Sequence, residues 1–289
     1  VRPGDRVWVV APSGPFDRTL VLRGIGFLAE RYDVRFGEGV FARDGYLAGP
    51  DDRRLAELTE ALSDPDARAV IAARGGYGLA RIVPALDAAR LRDRPRWIVG
   101  FSDVTALHVE SQRAGVASIH ADNVAGLGRA DAAAHGRFFA ALETPELART
   151  FDGLSVWRGG CAEGPLTGGN LTLLFACAAA GRLRVPTGSV LFIEDVGEAP
   201  YRVDRMLTAL TTSGALDGLA GVLVGDFTDA PPGRYGVPME SVLRERLAML
   251  GVPVLAGFPA GHGARNEPLH LGLRARLDGT SGRVLLGTP

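Results

Sequence analysis

Ser102 is placed to do chemistry: it stands in "VGFSDVT", two positions after Gly100, where an apolar run turns into a helix-like stretch. A turn of that kind presents a serine hydroxyl in the G-x-S-x-G nucleophile elbow. The match is partial, because position 104 is Val104, and a serine ahead of a helix also serves as an N-cap. A nucleophilic serine needs a base, and the base needs an orienting group. The chain has five histidines. His108 and His135 fall inside helical patterns and read as structural, and His120 follows a strand end. His262 is the preferred base, since "FPAGHGARNEP" is a Gly- and Pro-rich loop with glycines on both sides of the imidazole. Glu194 is the preferred orienting acid. It ends the hydrophobic run "SVLFIED", and a carboxylate so close to a core requires an imidazolium or an arginine such as Arg202 or Arg205.

"ARGGYG" at 73–78 places glycines directly after a buried strand, where backbone N–H groups can form an anion nest or half of an oxyanion hole. It lacks the G-x-G-x-x-G spacing of dinucleotide sites. "TGGNL" at 167–171 reads as the start of a helix. No H-E-x-x-H or dense His and acid cluster points to a metal, so no metal is expected. The chain contains no lysine, and all 32 basic residues are arginine. That excludes a Walker A loop, a pyridoxal Schiff base, a Ser-Lys dyad and a lysine aldolase. Cys161 and Cys177 supply neither a disulfide framework nor a four-ligand zinc site.

The elements that must hold these residues alternate in the first half. "RVWVVAPSG", "YDVRFG", "ARAVIAARGGYG", "RWIVGFSD" and "GVASIH" read as strands, and "DDRRLAELTEALSD" as an amphipathic helix. This βαβα order implies a parallel sheet covered on both faces, with functional loops at the carboxyl ends of its strands. The helix "ADAAAHGRFFAALET" closes a domain of residues 1–150, and the polar stretch 146–164 reads as a connection. Residues 160–289 then show a Gly-Gly-led helix, the strand that ends at Glu194, further strands and helices, and a terminal hairpin turning through Gly279 to Gly282.

At 289 residues, with 46% apolar and 22% charged, the chain has ample material for two cores. A formal charge of −1 leaves no basic field for nucleic acid, and no run approaches a membrane span. "VRPGDRVWVV" lacks the shape of a signal peptide, so a cytoplasmic location is the expectation.

The stretches "VAPSGP", "ARGGYG", "VGFSDVTALH", "GPLTGGNL", "FIEDVGEAPYRVDRML" and "GHG" together resemble the LD-carboxypeptidase family of serine peptidases, in the family's order. That family includes murein tetrapeptide carboxypeptidases of cell-wall recycling and microcin self-immunity peptidases. The resemblance implies an α/β fold of two domains. The first is a doubly wound, mostly parallel sheet, class I glutamine amidotransferase-like, carrying the serine. The second is a mixed β/α, swivelling β/β/α-like domain carrying the acid and the base, with the active site between the two. It also implies a triad of Ser102, Glu194 and His262, and an oxyanion hole from the N–H groups of Asp103 and of Gly75 or Gly76. The implied substrate is a small muropeptide cleaved at an LD bond to release a terminal D-amino acid, with no cofactor and a homodimeric assembly. Two stretches depart from the family pattern: "IHADNVAG" stands where His-Gly-Pro is frequent, and His270 where proline is common. Asp122, Glu198, Tyr201 and Arg202 are candidate substrate contacts, although "EAPYRVDR" reads equally as a structural ion-pair turn. The alternatives are the same triad acting on aminoacyl or peptidyl-nucleotide conjugates, and a non-catalytic binder of small anions.

Overall fold

In the computed structural model, which describes residues 1–288, the chain forms two units, Val1–Pro145 and Glu146–Pro289. The Val- and Ile-rich runs of the first unit become β1 (Arg6–Val10), β2 (Asp33–Arg35), β3 (Ala67–Ala72), β4 (Trp97–Gly100) and β5 (Ser118–His120). These strands are parallel and lie in the order β5-β4-β3-β1-β2. Between them run the helices α1 (Arg18–Ala29), α2 (Asp51–Ser63), α3 (Leu79–Ile82), α4 (Ala89–Asp93), α5 (Thr105–Arg113), α6 (Val124–Leu127) and α7 (Ala132–Glu143). Val7, Val9, Ile71 and Val99 are wholly buried because helices cover both faces of the sheet, which is why the strands read as continuous apolar runs. The strand order reverses between β1 and β3. In open α/β sheets a ligand crevice forms outside the carboxyl ends at such a point.

The second unit contains β6 (Arg149–Phe151), β7 (Ser155–Arg158), β8 (Cys161–Asn170), α8 (Leu171–Ala179), β9 (Val190–Val196), α9 (Pro200–Thr212) and β10 (Gly221–Thr228). It continues with α10 (Met239–Ala248), β11 (Val254–Ala256), β12 (Leu269–Leu271), β13 (Arg274–Asp278) and β14 (Arg283–Thr288). Its main sheet is mixed, in the order β6-β14-β13-β8-β9-β10-β11-β7, with β8 to β11 parallel and the outer pairs antiparallel. Phe192, Leu223, Leu255, Phe258 and Leu277 fill its core. The two-domain α/β class expected from the sequence is the architecture found.

Two local expectations are corrected. The stretch 146–164 is no connection: it carries β6, β7 and the start of β8, and residues 146–150 belong to the second unit. Its polarity arises because β6 and β7 are the two edge strands of the sheet, where polar and charged side chains face water. Gly168 and Gly169 do not lead a helix but end β8, and α8 begins at Leu171 with the Asn170 side chain accepting from the Leu173 N–H at 3.2 Å. A Cβ on Gly168 would fall 1.9 Å from the Phe192 carbonyl oxygen, so this glycine serves strand packing.

Candidate active site

One candidate cluster is built at the carboxyl ends of β1, β3 and β4. Ser102 adopts φ +65°, and the only other non-glycine residue with positive φ among those described is Asp229. An L-residue held in that region costs roughly 1–3 kcal/mol and marks a position imposed by its surroundings. The turn is sharp because Gly100, at φ +152°, lets β4 pass against Val104; a Cβ there would lie 2.9 Å from Val104 Cγ2. A 3-10 turn, Ser102–Val104, leads into α5, and no side-chain cap hydrogen bond closes either helix start. Ser102 is therefore presented at an elbow, and its hydroxyl does not act as a cap.

The "RGGYG" loop after β3 packs directly on this elbow. A Cβ on Gly75 would sit 2.9 Å from Ser102 Cβ and 3.2 Å from its Oγ. The Gly75 carbonyl accepts from the Gly14 N–H at 3.1 Å, and the N–H groups of Gly75, Gly76 and Asp103 donate to no acceptor among the described residues. Backbone donors left open beside a serine hydroxyl are what an oxyanion hole requires. The buried Asp103 carboxylate accepts from the Leu79 N–H at 2.9 Å, and burial pushes its pKa up. Arg54, wholly buried, donates to the carbonyls of Pro12, Gly78 (3.0 Å) and Gly49 (3.2 Å) and pairs with Asp51, tying the loops together. Gly75→Ala is expected to push the loop off Ser102 and to lower kcat ~10–100-fold with little change in KM. Steady-state kinetics of the folded variant checks this.

A second candidate cluster lies within residues 146–289. Glu194, fully buried on β9, accepts from His262 Nδ1 at 2.6 Å. Burial pushes its carboxyl up, and the His262 hydrogen bond opposes that shift. His262 sits on the loop after β11 between two glycines that the space demands. A Cβ on Gly261 would be 2.9 Å from Glu194 Oε2, and one on Gly263 2.3 Å from Asp226 Oδ2. Of the two acids ending the apolar run, only Glu194 meets the imidazole. Asp195 accepts from Asn170 Nδ2 (3.0 Å) and from the Thr172 N–H (2.9 Å) and hydroxyl (2.8 Å), fastening the start of α8. Asp226 was missed in the sequence. The β10 register slips between Val224 and Phe227, and Asp226 lands against the histidine loop, its N–H donating to Ala260 at 2.9 Å. The one signal for it was an acid interrupting the apolar run "GVLVGDF".

Glu198, Tyr201 and Arg202 gather at the start of α9. Arg202 pairs with Glu198 at 3.6 Å and donates to the Tyr201 hydroxyl at 3.3 Å, and Tyr201 is 57% exposed. Both Arg202 and Arg205 lie over the Tyr201 ring. Asp122 follows β5 and abuts Gly126. His120 is wholly buried, with its ring 5.8 Å from Phe101, and His270 is buried on β12. His135 Nε2 donates to the Leu127 carbonyl at 2.8 Å.

His108 is structural. Its Nε2 donates to the Gly100 carbonyl at 2.9 Å and its Nδ1 accepts from the Ser118 hydroxyl at 2.9 Å, bracing β4 just below the elbow. Burial lowers its pKa from 6.5 to about 4. The unfolded chain therefore binds the extra proton first, and stability is lost as pH falls from the unfolded value through the folded one. This group alone is expected to cost about 3 kcal/mol between pH 7 and pH 4. Urea denaturation at stepped pH checks it, with His108→Gln flattening that part of the profile.

Among the described residues no group of three His, Cys, Asp or Glu side chains could hold a metal, and no helix is long and apolar enough to cross a membrane. Residues 7–121 match the LD-carboxypeptidase N-terminal domain and residues 163–277 the LD-carboxypeptidase C-terminal domain. The murein tetrapeptide carboxypeptidase of Pseudomonas aeruginosa is 38% identical, over 86% of this chain and 84% of its own. The crystal structure of muramoyltetrapeptide carboxypeptidase from Oxalobacter formigenes aligns with a TM-score of 0.87 at 30% identity, covering 97% of both chains. MccF in complex with glutamyl sulfamoyl guanosine aligns with a TM-score of 0.87 at 21% identity over 99% of this chain and 96% of its own, a likeness of fold.

Proposed function

Since this chain belongs to the LD-carboxypeptidase family and is a serine carboxypeptidase, we propose that Ser102, His262 and Glu194 act as its triad on a muropeptide, releasing a terminal D-amino acid. Two observations support the reading: a strained serine elbow beside open N–H groups, and a buried carboxylate bonded to an imidazole. Family membership as a serine carboxypeptidase sets aside the non-catalytic binder.

With Nδ1 committed to Glu194, His262 Nε2 takes the Ser102 proton as Oγ attacks the carbonyl carbon before the terminal residue. The oxyanion is received by the N–H groups of Asp103 and of Gly75 or Gly76, donors of a kind worth ~10²–10³ in rate. The C–N bond breaks, and His262 passes its proton to the departing amine. Water then gives a proton to His262, attacks the acyl-enzyme, and releases the shortened peptide as Ser102 regains its hydrogen. Glu194 stays ionised and stabilises the imidazolium in both steps. The candidate substrate contacts are Asp122, Glu198, Tyr201 and Arg202. A role in peptidoglycan recycling, a cytoplasmic location and a homodimer belong to the same proposal.

The test is release of free D-alanine from L-Ala-γ-D-Glu-meso-diaminopimelate-D-Ala, with and without a chelator. Chelator-insensitive release is expected. If none occurs while an aminoacyl-nucleotide conjugate is hydrolysed, the muropeptide reading fails and the conjugate becomes the substrate.

A further inference from the structure

We infer that Arg74 forms the subsite for the substrate's terminal α-carboxylate and so makes this enzyme an exopeptidase; the inference rests on the muropeptide reading above. The terminal carboxylate carbon is three bonds from the scissile carbonyl carbon. Adding one charge-assisted hydrogen bond, its partner must lie within roughly 7 Å of the carbon that Ser102 attacks. Within the first unit, a cation that close comes from a loop touching the elbow, and in a chain without lysine the strong permanent cations are arginines.

The loops after β1 (residues 11–17), β3 (73–78), β4 (101–104) and β5 (121–123) contain one cation between them, Arg74. It immediately precedes Gly75, the residue packed on Ser102. Its guanidinium lies along the same loops, with Nη1 3.3 Å from where a Gly14 Cβ would stand and 3.5 Å from where a Gly76 Cβ would stand. Glycines at both positions leave the room that the guanidinium itself occupies beside the elbow loops.

The pairing of Arg74 distinguishes it from its neighbours. Arg54 is buried and saturated by carbonyls and Asp51, and Arg53 donates to Gly39, Ala11 and Ala48 and pairs with Glu57. Arg81 pairs with Asp51. Arg74 is exposed and donates once, from Nη1 to the Pro15 carbonyl at 2.7 Å, with no carboxylate partner among the described residues. That single tether orients a planar fork and leaves Nε and Nη2 to donate. Such a fork suits bidentate binding of a carboxylate.

The experiment compares the tetrapeptide as free acid and as C-terminal amide, measuring kcat/KM for the native enzyme, Arg74→Gln and Arg74→Lys. The native enzyme is expected to favour the acid by about 10²-fold, the scale of one desolvated charged hydrogen-bond pair. In Arg74→Gln the acid should lose about that factor, mainly through KM, while the amide changes less than about threefold; Arg74→Lys should keep part of the preference. Equal losses on both substrates in Arg74→Gln, or an unchanged acid-to-amide ratio, overturn the assignment and leave the muropeptide reading standing. Failure of the native enzyme to cleave either peptide overturns both.

Discussion

Ser102→Ala is expected to lower kcat by ~10⁴–10⁶ while leaving the fold intact, the scale on which a serine triad loses its nucleophile. The elbow adds a second readout that a generic active-site serine lacks. At φ +65° any L-residue bears the left-handed strain, whereas glycine adopts that conformation at no steric cost. Ser102→Gly should therefore be as inactive as the alanine variant, yet more stable by up to ~1 kcal/mol. D-Alanine release and urea denaturation of the three proteins measure both effects. More than a tenth of native activity in Ser102→Ala would remove the residue from the chemistry, and a destabilised Ser102→Gly would remove the strain argument.

Glu194→Gln is expected to cost ~10³–10⁴ in kcat with KM little altered, because the amide keeps the shape but forfeits the charge that stabilises the imidazolium and fixes its tautomer. The pH behaviour follows from burial, which raises the Glu194 carboxyl above its ordinary value. Activity needs the ionised form, so the native enzyme should lose rate as pH falls through that raised value. For stability the sign is opposite. The folded protein binds this proton more tightly than the unfolded chain, so stability falls as pH rises from the unfolded pKa through the folded one. Glu194→Gln, which carries no charge to bury, should thus be at least as stable as the native protein at pH 7 while nearly inactive. Kinetics and denaturation across pH test the pair of effects; a variant with native kcat would mean that His262 needs no carboxylate.

Much of this was legible in residue types and spacing. The alternation of apolar strands and amphipathic helices declares an α/β sheet, because a sheet covered on both faces must be apolar throughout. Ser102, His262 and Glu194 stood out since a glycine-framed serine, a glycine-framed histidine and an acid ending a buried run each break the pattern around them. The edge strands β6 and β7 were hidden, since a strand half in water needs no apolar pattern and so looks like a linker. Asp226 was hidden as well, because a register slip in β10 cannot be read from one strand alone.

The sequence by itself determined the class of fold, the family and the short roll of groups able to act. Tertiary structure alone supplied their partners and strain: it bonded Glu194 to His262 and tied Asp195 to α8, held Ser102 at positive φ, and left Arg74 with a single carbonyl. The reason is that residue type and local pattern set what a side chain can do. Its partner, its backbone strain and its charge balance depend on groups distant in sequence, which meet only when the sheets form.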